Sequence, residues 1–174
     1  MKRLFLIFCS LICISALAQN NTGSQFSLNA FTPSAEYELS IGEKSSIDLD
    51  FGLGFSYLHS LGESHYGIYP GFKTQYRYYY NFQKRIDDKR NTSGNSANYI
   101  AGIASITGGN PIFGDLKYSS DYGLVAGPAW GLQRVYDNNF KVNVNLGLGF
   151  GYSEVGDSYL LPIIAVQLGW VLDR

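Results

Sequence analysis

Residues 46–57 read Ser-Ile-Asp-Leu-Asp-Phe-Gly-Leu-Gly-Phe-Ser-Tyr, and residues 141–152 repeat the design as Lys-Val-Asn-Val-Asn-Leu-Gly-Leu-Gly-Phe-Gly-Tyr. Every second side chain is apolar. Strand side chains alternate between two faces, so each segment carries six apolar groups on one face and only Ser, Asp, Asn, Lys or Gly on the other. A soluble two-layer protein would solvate its second face with Lys, Glu and Thr. Here that face is small and polar, which suits the narrow lumen of a barrel whose oily face looks outward into lipid.

The start of the chain gives an address. Lys2 and Arg3 precede an apolar run from Leu4 to Leu17, and Ala16-Leu17-Ala18 supplies a small-x-small cleavage site, so residues 1–18 read as a secretory signal peptide. The run is shorter than the roughly 20 apolar residues of a spanning helix. Both cysteines, Cys9 and Cys13, fall inside it, so the mature chain has none and cannot lean on disulfides. Phe8 and Ile12 precede them, where a lipid-anchored protein would place a small residue. Losing Lys2 and Arg3 takes the 13 basic residues to 11 against 14 acidic, a formal charge of −3 that offers no basic field to nucleic acid. The remaining 156 or so of the 174 residues form one domain, 19–174, with room for eight strands of about ten residues and their loops.

Other segments show the same two faces. From Ile68 to Phe82 the even positions include Ile68, Phe72, Tyr76, Tyr78, Tyr80 and Phe82, opposite Gly71, Lys73, Gln75 and Arg77. Tyr122–Leu132 and Leu160–Leu172 follow, and Asn98–Thr107 alternates less cleanly. Fourteen Tyr and eleven Phe fit aromatic girdles at membrane interfaces, and Tyr76, Tyr78, Tyr80, Trp130 and Trp170 are the expected interface residues. Pro70, Pro128 and Pro162 cannot donate to a ladder and are expected at bulges or strand ends, since a closed barrel has no edge. Single-chain barrels have even strand numbers, and only six clear strands follow Gly42. In 24–42 the apolar phase slips near Phe31 to Pro33: either one bulged strand or two short ones, and two short ones make eight.

Gly42-Glu43-Lys44-Ser45 and Asp137-Asn138-Asn139 read as tight turns on the periplasmic side. That makes 61–67, 108–120 and 153–158 outward loops and 83–97 a long, charged periplasmic linker. In loop 108–120, Pro111, Ile112, Phe113 and Tyr118 are the candidate contact with a surface partner, or else fold over the barrel mouth.

With the oily face outward, Glu36, Glu38, Asp48 and Asp50 look inward beside Lys73 and Arg77, joined by Asn143, Asn145 and Gln167. These predict an ion-paired network that plugs a narrow lumen, with a small-ion path as the alternative. As acid and base catalysts the same carboxylates would lie too deep for substrate. His59 and His65, with Ser60, Glu63 and Ser64 nearby, could serve a lipid hydrolase or acyltransferase at the membrane rim or bind a metal, though loop composition accounts for them equally. Gly147-Leu148-Gly149-Phe150-Gly151 lacks the helix that a nucleotide loop requires.

At Arg77-Tyr78-Tyr79-Tyr80-Asn81-Phe82, with Lys84-Arg85, Lys89-Arg90-Asn91-Thr92 and Asn98-Tyr99, the chain resembles small uncharacterised outer-membrane β-barrel proteins of Bacteroidota. Trp130-Gly131-Leu132-Gln133-Arg134 and Leu168-Gly169-Trp170 extend the resemblance over most of the mature chain. It implies the bacterial outer membrane and a barrel, and brings no catalytic residues. Barrels of this type commonly end in an aromatic residue that the assembly machinery reads, whereas this chain ends Trp170-Val171-Leu172-Asp173-Arg174. The sequence thus predicts an all-β, antiparallel, up-and-down transmembrane β-barrel, monomeric, without cofactor or metal and not an enzyme. Its expected partners are outer-membrane lipid, the barrel-assembly machinery and a surface partner of its outward loops. A rim enzyme and a soluble secreted ligand-binding barrel are the alternatives.

Overall fold

The computed structural model describes residues 22–60, 62–156 and 158–174; the expected signal peptide, 1–18, lies outside them. Nine strands form one antiparallel sheet: β1 (Gln25–Asn29), β2 (Ser34–Gly42), β3 (Ser45–Ser60), β4 (Glu63–Tyr78), β5 (Asn98–Gly108), β6 (Phe113–Gly114), β7 (Tyr122–Val135), β8 (Phe140–Ser153) and β9 (Ser158–Asp173). Neighbours run β3-β2-β1-β9-β8-β7-β5-β4, and pairing of β3 with β4 closes these eight into a ring. The two-residue β6 adds to β4 outside the circuit, through Gly67↔Gly114 and Ile68↔Phe113.

The phase slip near Phe31 is a hairpin. β1 and β2 pair as Phe26↔Tyr37 and Leu28↔Ala35, so partners have opposite parity in sequence and the apolar phase reverses although both strands keep one face outward. Leu28 and Tyr37 are accordingly both exposed, while Gln25, Ser27, Glu36 and Glu38 are buried inside.

The prolines occupy no bulges. Pro70 pairs with Leu53 in an uninterrupted register, on the stretch of β4 between its last β5 pair, Gly71↔Thr107, and its first β6 pair, so its missing N–H costs no ladder bond there. Pro162 pairs with Leu148 on a part of β9 that has no partner on its other flank. At Pro128 the β7–β8 pairing lapses between Ala126↔Phe150 and Ala129↔Gly147 without a shift. The register shifts fall instead at Phe26/Ser27 and Ser40/Gly42.

Three further expectations are corrected. β4 stops at Tyr78; Phe82 opens a short helix, α1 (Phe82–Asp87), and is buried rather than outward-facing. The expected linker 83–97 thus holds α1 and a 3-10 turn, Ser93–Asn95, that closes the lower end, the end carrying the Gly42–Ser45 turn. Asn95 exchanges two 2.8 Å hydrogen bonds with the backbone of Gly23, and Gly94, at φ +57°, lies against Val135 where a side chain would collide. The expected loop 61–67 is almost entirely strand, since β4 begins at Glu63 and pairs with β3 up to Ser60↔Glu63.

The ring also has an edge. β1 and β2 are 5 and 9 residues long, whereas β3 and β9 have 16 each. Their last contacts with the β1–β2 turn are Leu53 N–H to Pro33 O and Ala30 N–H to Leu168 O. Above these, Gly54 to Ser60 of β3 and the β9 segment down to Gln167 face each other across a notch with no strand between them.

Candidate functional site

The interior divides into a filled lower half and a hollow upper half. All six residues expected to form the ion network point inward. The lower half gathers Arg77, Glu36, Glu38 and Asp48, all essentially inaccessible to solvent. Arg77 Nη2 lies 2.9 Å from Asp48 and 3.5 Å from Glu36, and Nη1 lies 3.4 Å from Glu38. The approach to Asp48 is close but not along a hydrogen-bond direction, and neither Asp48 oxygen has an aligned protein donor. Arg77 instead donates to Gln75 and Gln133 and stacks its guanidinium 5.0 Å from the Tyr99 ring centre. Glu38 is satisfied by neutral donors: Ser46 and Tyr79 hydroxyls at 2.5 Å and the amides of Gln25 and Gln133 at 2.7 and 3.0 Å.

Sequence reasoning left Lys141 out of this network, yet its ammonium sits 2.6 Å from Glu36 and is fully buried. Its parity with Asn143 and Asn145 was the available signal. Tyr79 and Tyr99 were missed for another reason. They belong to an internal apolar cluster with Phe82, Ala97, Ala101, Ile103 and Ala129, and Tyr99 donates toward Asn143 and Asn145 at 2.9 Å. Glycine makes that packing possible, because a Cβ on Gly131 would overlap the Tyr99 ring.

Lys73 and Asp50 stand apart from this plug, directly paired across β3 and β4 and 3.1 Å from each other, with Gln167 donating to Asp50. They form the floor of the upper half. Above them a cavity of about 340 Å³ is bounded by Phe31 and Thr32 of the β1–β2 turn, by Gly52–Gly54 on β3, by Ile164–Gln167 on β9, and at the back by β4 and β5. A second space of about 200 Å³ shares Lys73, Ser105, Ile164 and Ala165 with it. The interior holds four carboxylates (Glu36, Glu38, Asp48, Asp50) against three cations (Lys73, Arg77, Lys141).

The upper rim carries two separate dyads. His59 Nδ1 lies 2.9 Å from Ser64 Oγ, which also contacts Tyr57 at 2.8 Å. His65 Nδ1 lies 2.8 Å from Asp115, whose other oxygen accepts the Tyr66 N–H at 3.3 Å; these hydrogen bonds hold the exposed Asp115 carboxyl below its ordinary value. His59 and His65 are on opposite faces, so the Ser–His pair and the His–Asp pair do not combine. Ser60 pairs with Glu63 in the hairpin. Among the described residues, no group of three or more His, Cys, Asp and Glu is placed to hold a metal.

The loop candidates part company. Phe113 and Ile112 run along β4 and stay exposed, with Phe113 opposite the outward Ile68 and Ile112 N–H on Ile68 O. Tyr118 turns over the mouth instead: its hydroxyl meets Ser56 at 2.8 Å and its ring lies 5.1 Å from Tyr69, which donates to Leu116 O. Pro111 is half-buried. The five expected interface aromatics are all exposed, and Trp130 donates to the Tyr80 hydroxyl at 2.9 Å. Trp170 pairs with Phe140 beside the Asp137–Asn139 turn.

No protein-family model matches this chain, and no curated protein or solved structure does either.

Proposed function

We propose that the protein is a small integral β-barrel of the bacterial outer membrane, monomeric, with a plugged lower lumen and a structural or surface-interaction role. The observation that carries this is inverted polarity. Seven ionisable side chains point into the ring, six of them inaccessible or nearly so, while Phe51, Phe55, Leu148, Phe150 and Ile164 are each more than half exposed outside. Water would have to solvate that belt at a cost proportional to its area, whereas lipid removes the cost. A soluble ligand-binding barrel needs the opposite arrangement. No described helix is long and apolar enough to cross a membrane, so crossing falls to the strands.

The Tyr-rich strand and its basic turn favour the Bacteroidota-type barrels that they resemble. The exposed Phe113 and Ile112 are the face offered to a surface partner, and Trp170 near the end of β9 is the aromatic offered to the assembly machinery. The decisive measurement is membrane fractionation with electrophoresis before and after boiling. A heat-modifiable band in the outer-membrane fraction supports the reading; a mature chain that stays monomeric in buffer without detergent sinks it.

One observation favours a second reading, the 2.9 Å Ser64–His59 contact on the outward face of the rim. A serine beside a histidine is the core of an acyl-transfer site, though among the described residues His59 has no acidic partner to orient it. Lipid A and phospholipid mass profiles that change in Ser64→Ala but not in Ser60→Ala cells would establish it, and unchanged profiles would remove it.

A further inference from the structure

We propose that the upper chamber takes a linear aliphatic molecule with a neutral oxygen headgroup, entering sideways from the bilayer through the notch between β3 and β9. This rests on the membrane reading above. The warrant is that one cavity is bounded both by outward side chains, Phe31, Leu53 and Ile164, and by the inward Lys73, Ser105 and Gln167. In an unbroken wall those two sets face opposite sides and share no space. They meet here because β1 and β2 are too short to fill the gap.

Two of the glycines that line the chamber, Gly54 and Gly71, are not required to be small by any neighbour. A Cβ on Gly54 would meet no atom closer than 4.0 Å, and one on Gly71 none closer than 3.6 Å. Their smallness leaves volume rather than relieving a clash. The resulting cavity of about 340 Å³ is at the small end of ligand sites, which run from roughly 300 to 1,000 Å³. Its mouth is apolar and its floor polar, the gradient an amphiphile follows.

Charge selects the head. Lys73 is half of an ion pair with Asp50 at 3.1 Å, so its charge is already matched and an anionic head finds no free cation there. A hydroxyl or carbonyl oxygen can accept from Lys73 and bond Ser105 without disturbing that balance. Gly54 to Ser60 are paired with β4 on one flank only, and the flank without a strand lies beside the entry path. In lipid, exposed edges of this kind are costly unless something polar meets them.

The test uses the mature protein refolded into phosphatidylcholine liposomes and a dodecanol analogue with a diazirine beside its hydroxyl. Flotation is read first. After illumination, peptide mass spectrometry is expected to find adducts on Lys73, Ser105 and Ala165, displaced at least tenfold by unlabelled dodecanol and less well by dodecanoate. Gly54→Leu and Gly71→Leu, checked for folding by their heat-modifiable band, should lower the inward labelling about tenfold. Adducts confined to belt positions such as Phe51 and Leu148 in floated protein would overturn the chamber while leaving the membrane reading intact. Displacement by dodecanoate better than by dodecanol would overturn the headgroup assignment. Protein that fails to float defeats the membrane reading and, with it, entry from the bilayer.

Discussion

The two halves of the lumen are built from the same strands and contain the same kinds of residue, but Gly131 below and Gly54 and Gly71 above, like Arg77 and Lys73, do opposite work. In the lower half, Gly131 is small because the Tyr99 ring occupies its Cβ position, and Arg77 is held by three carboxylates and two amides. In the upper half, Gly54 and Gly71 have room beside them, and Lys73 has one ionic partner and a side chain 21% exposed. A close-packed interior makes every polar group answerable to its neighbours, whereas a hollow one lets single groups be altered alone.

That contrast can be broken by matched substitutions. Arg77→Met removes the cation common to Glu36, Glu38 and Asp48 and strands buried carboxylates, which should cost about 3–5 kcal/mol. Urea titration of the folded band in lipid measures it, and a loss below that of Lys73→Met would end the contrast. On the outside, Leu148→Arg should cost about 2–4 kcal/mol in lipid, as a cation at mid-belt does, with reduced assembly as the readout. Gly131→Ala should cost about 1–3 kcal/mol by overpacking against Tyr99, whereas Gly71→Ala should stay within about 0.5 kcal/mol. Equal tolerance of the two would mean that the lower half is not close-packed. Lys73→Met should cost about 1–2 kcal/mol, because Asp50 keeps the Gln167 amide and the cavity.

The smallest effect is at the rim and depends on pH. The Asp115 carboxyl is depressed in the folded state by His65 and the Tyr66 N–H. A depressed group contributes stability above its unfolded value, about 3.9, and loses that contribution as pH falls through the lower folded value. Docking of residues 115–121 over the mouth should therefore be insensitive to Asp115 between pH 7 and 5 and loosen only in stronger acid. Protease cleavage at Lys117 in refolded protein checks this, and Asp115→Asn should lose the acid dependence.

Strand identity was legible because a period of two is a local property. Ile47 to Tyr57 and Val142 to Tyr152 declare their faces without reference to the rest of the chain, and parity alone sent Glu36, Glu38, Asp48, Asp50, Lys73 and Arg77 inward. The reversal at Phe31 was legible too, as a hairpin, although parity alone left a bulge open. Phe82 was misread because the pattern of β4 continues past the point where the strand stops. Beyond Tyr78 the chain enters α1, where Phe82 packs against Tyr79, and Tyr79 against Tyr99 twenty positions away.

By itself, then, the sequence determined most of the strands, their two faces and six of the seven charges inside, because alternation needs only neighbours along the chain. Tertiary structure alone decided how those charges divide, with Arg77 and Lys141 in a sealed plug and Lys73 at the floor of a chamber. It also decided where the wall is incomplete. Both follow from strand length and registry around a closed circuit, in which each strand's height is fixed by partners far away in sequence.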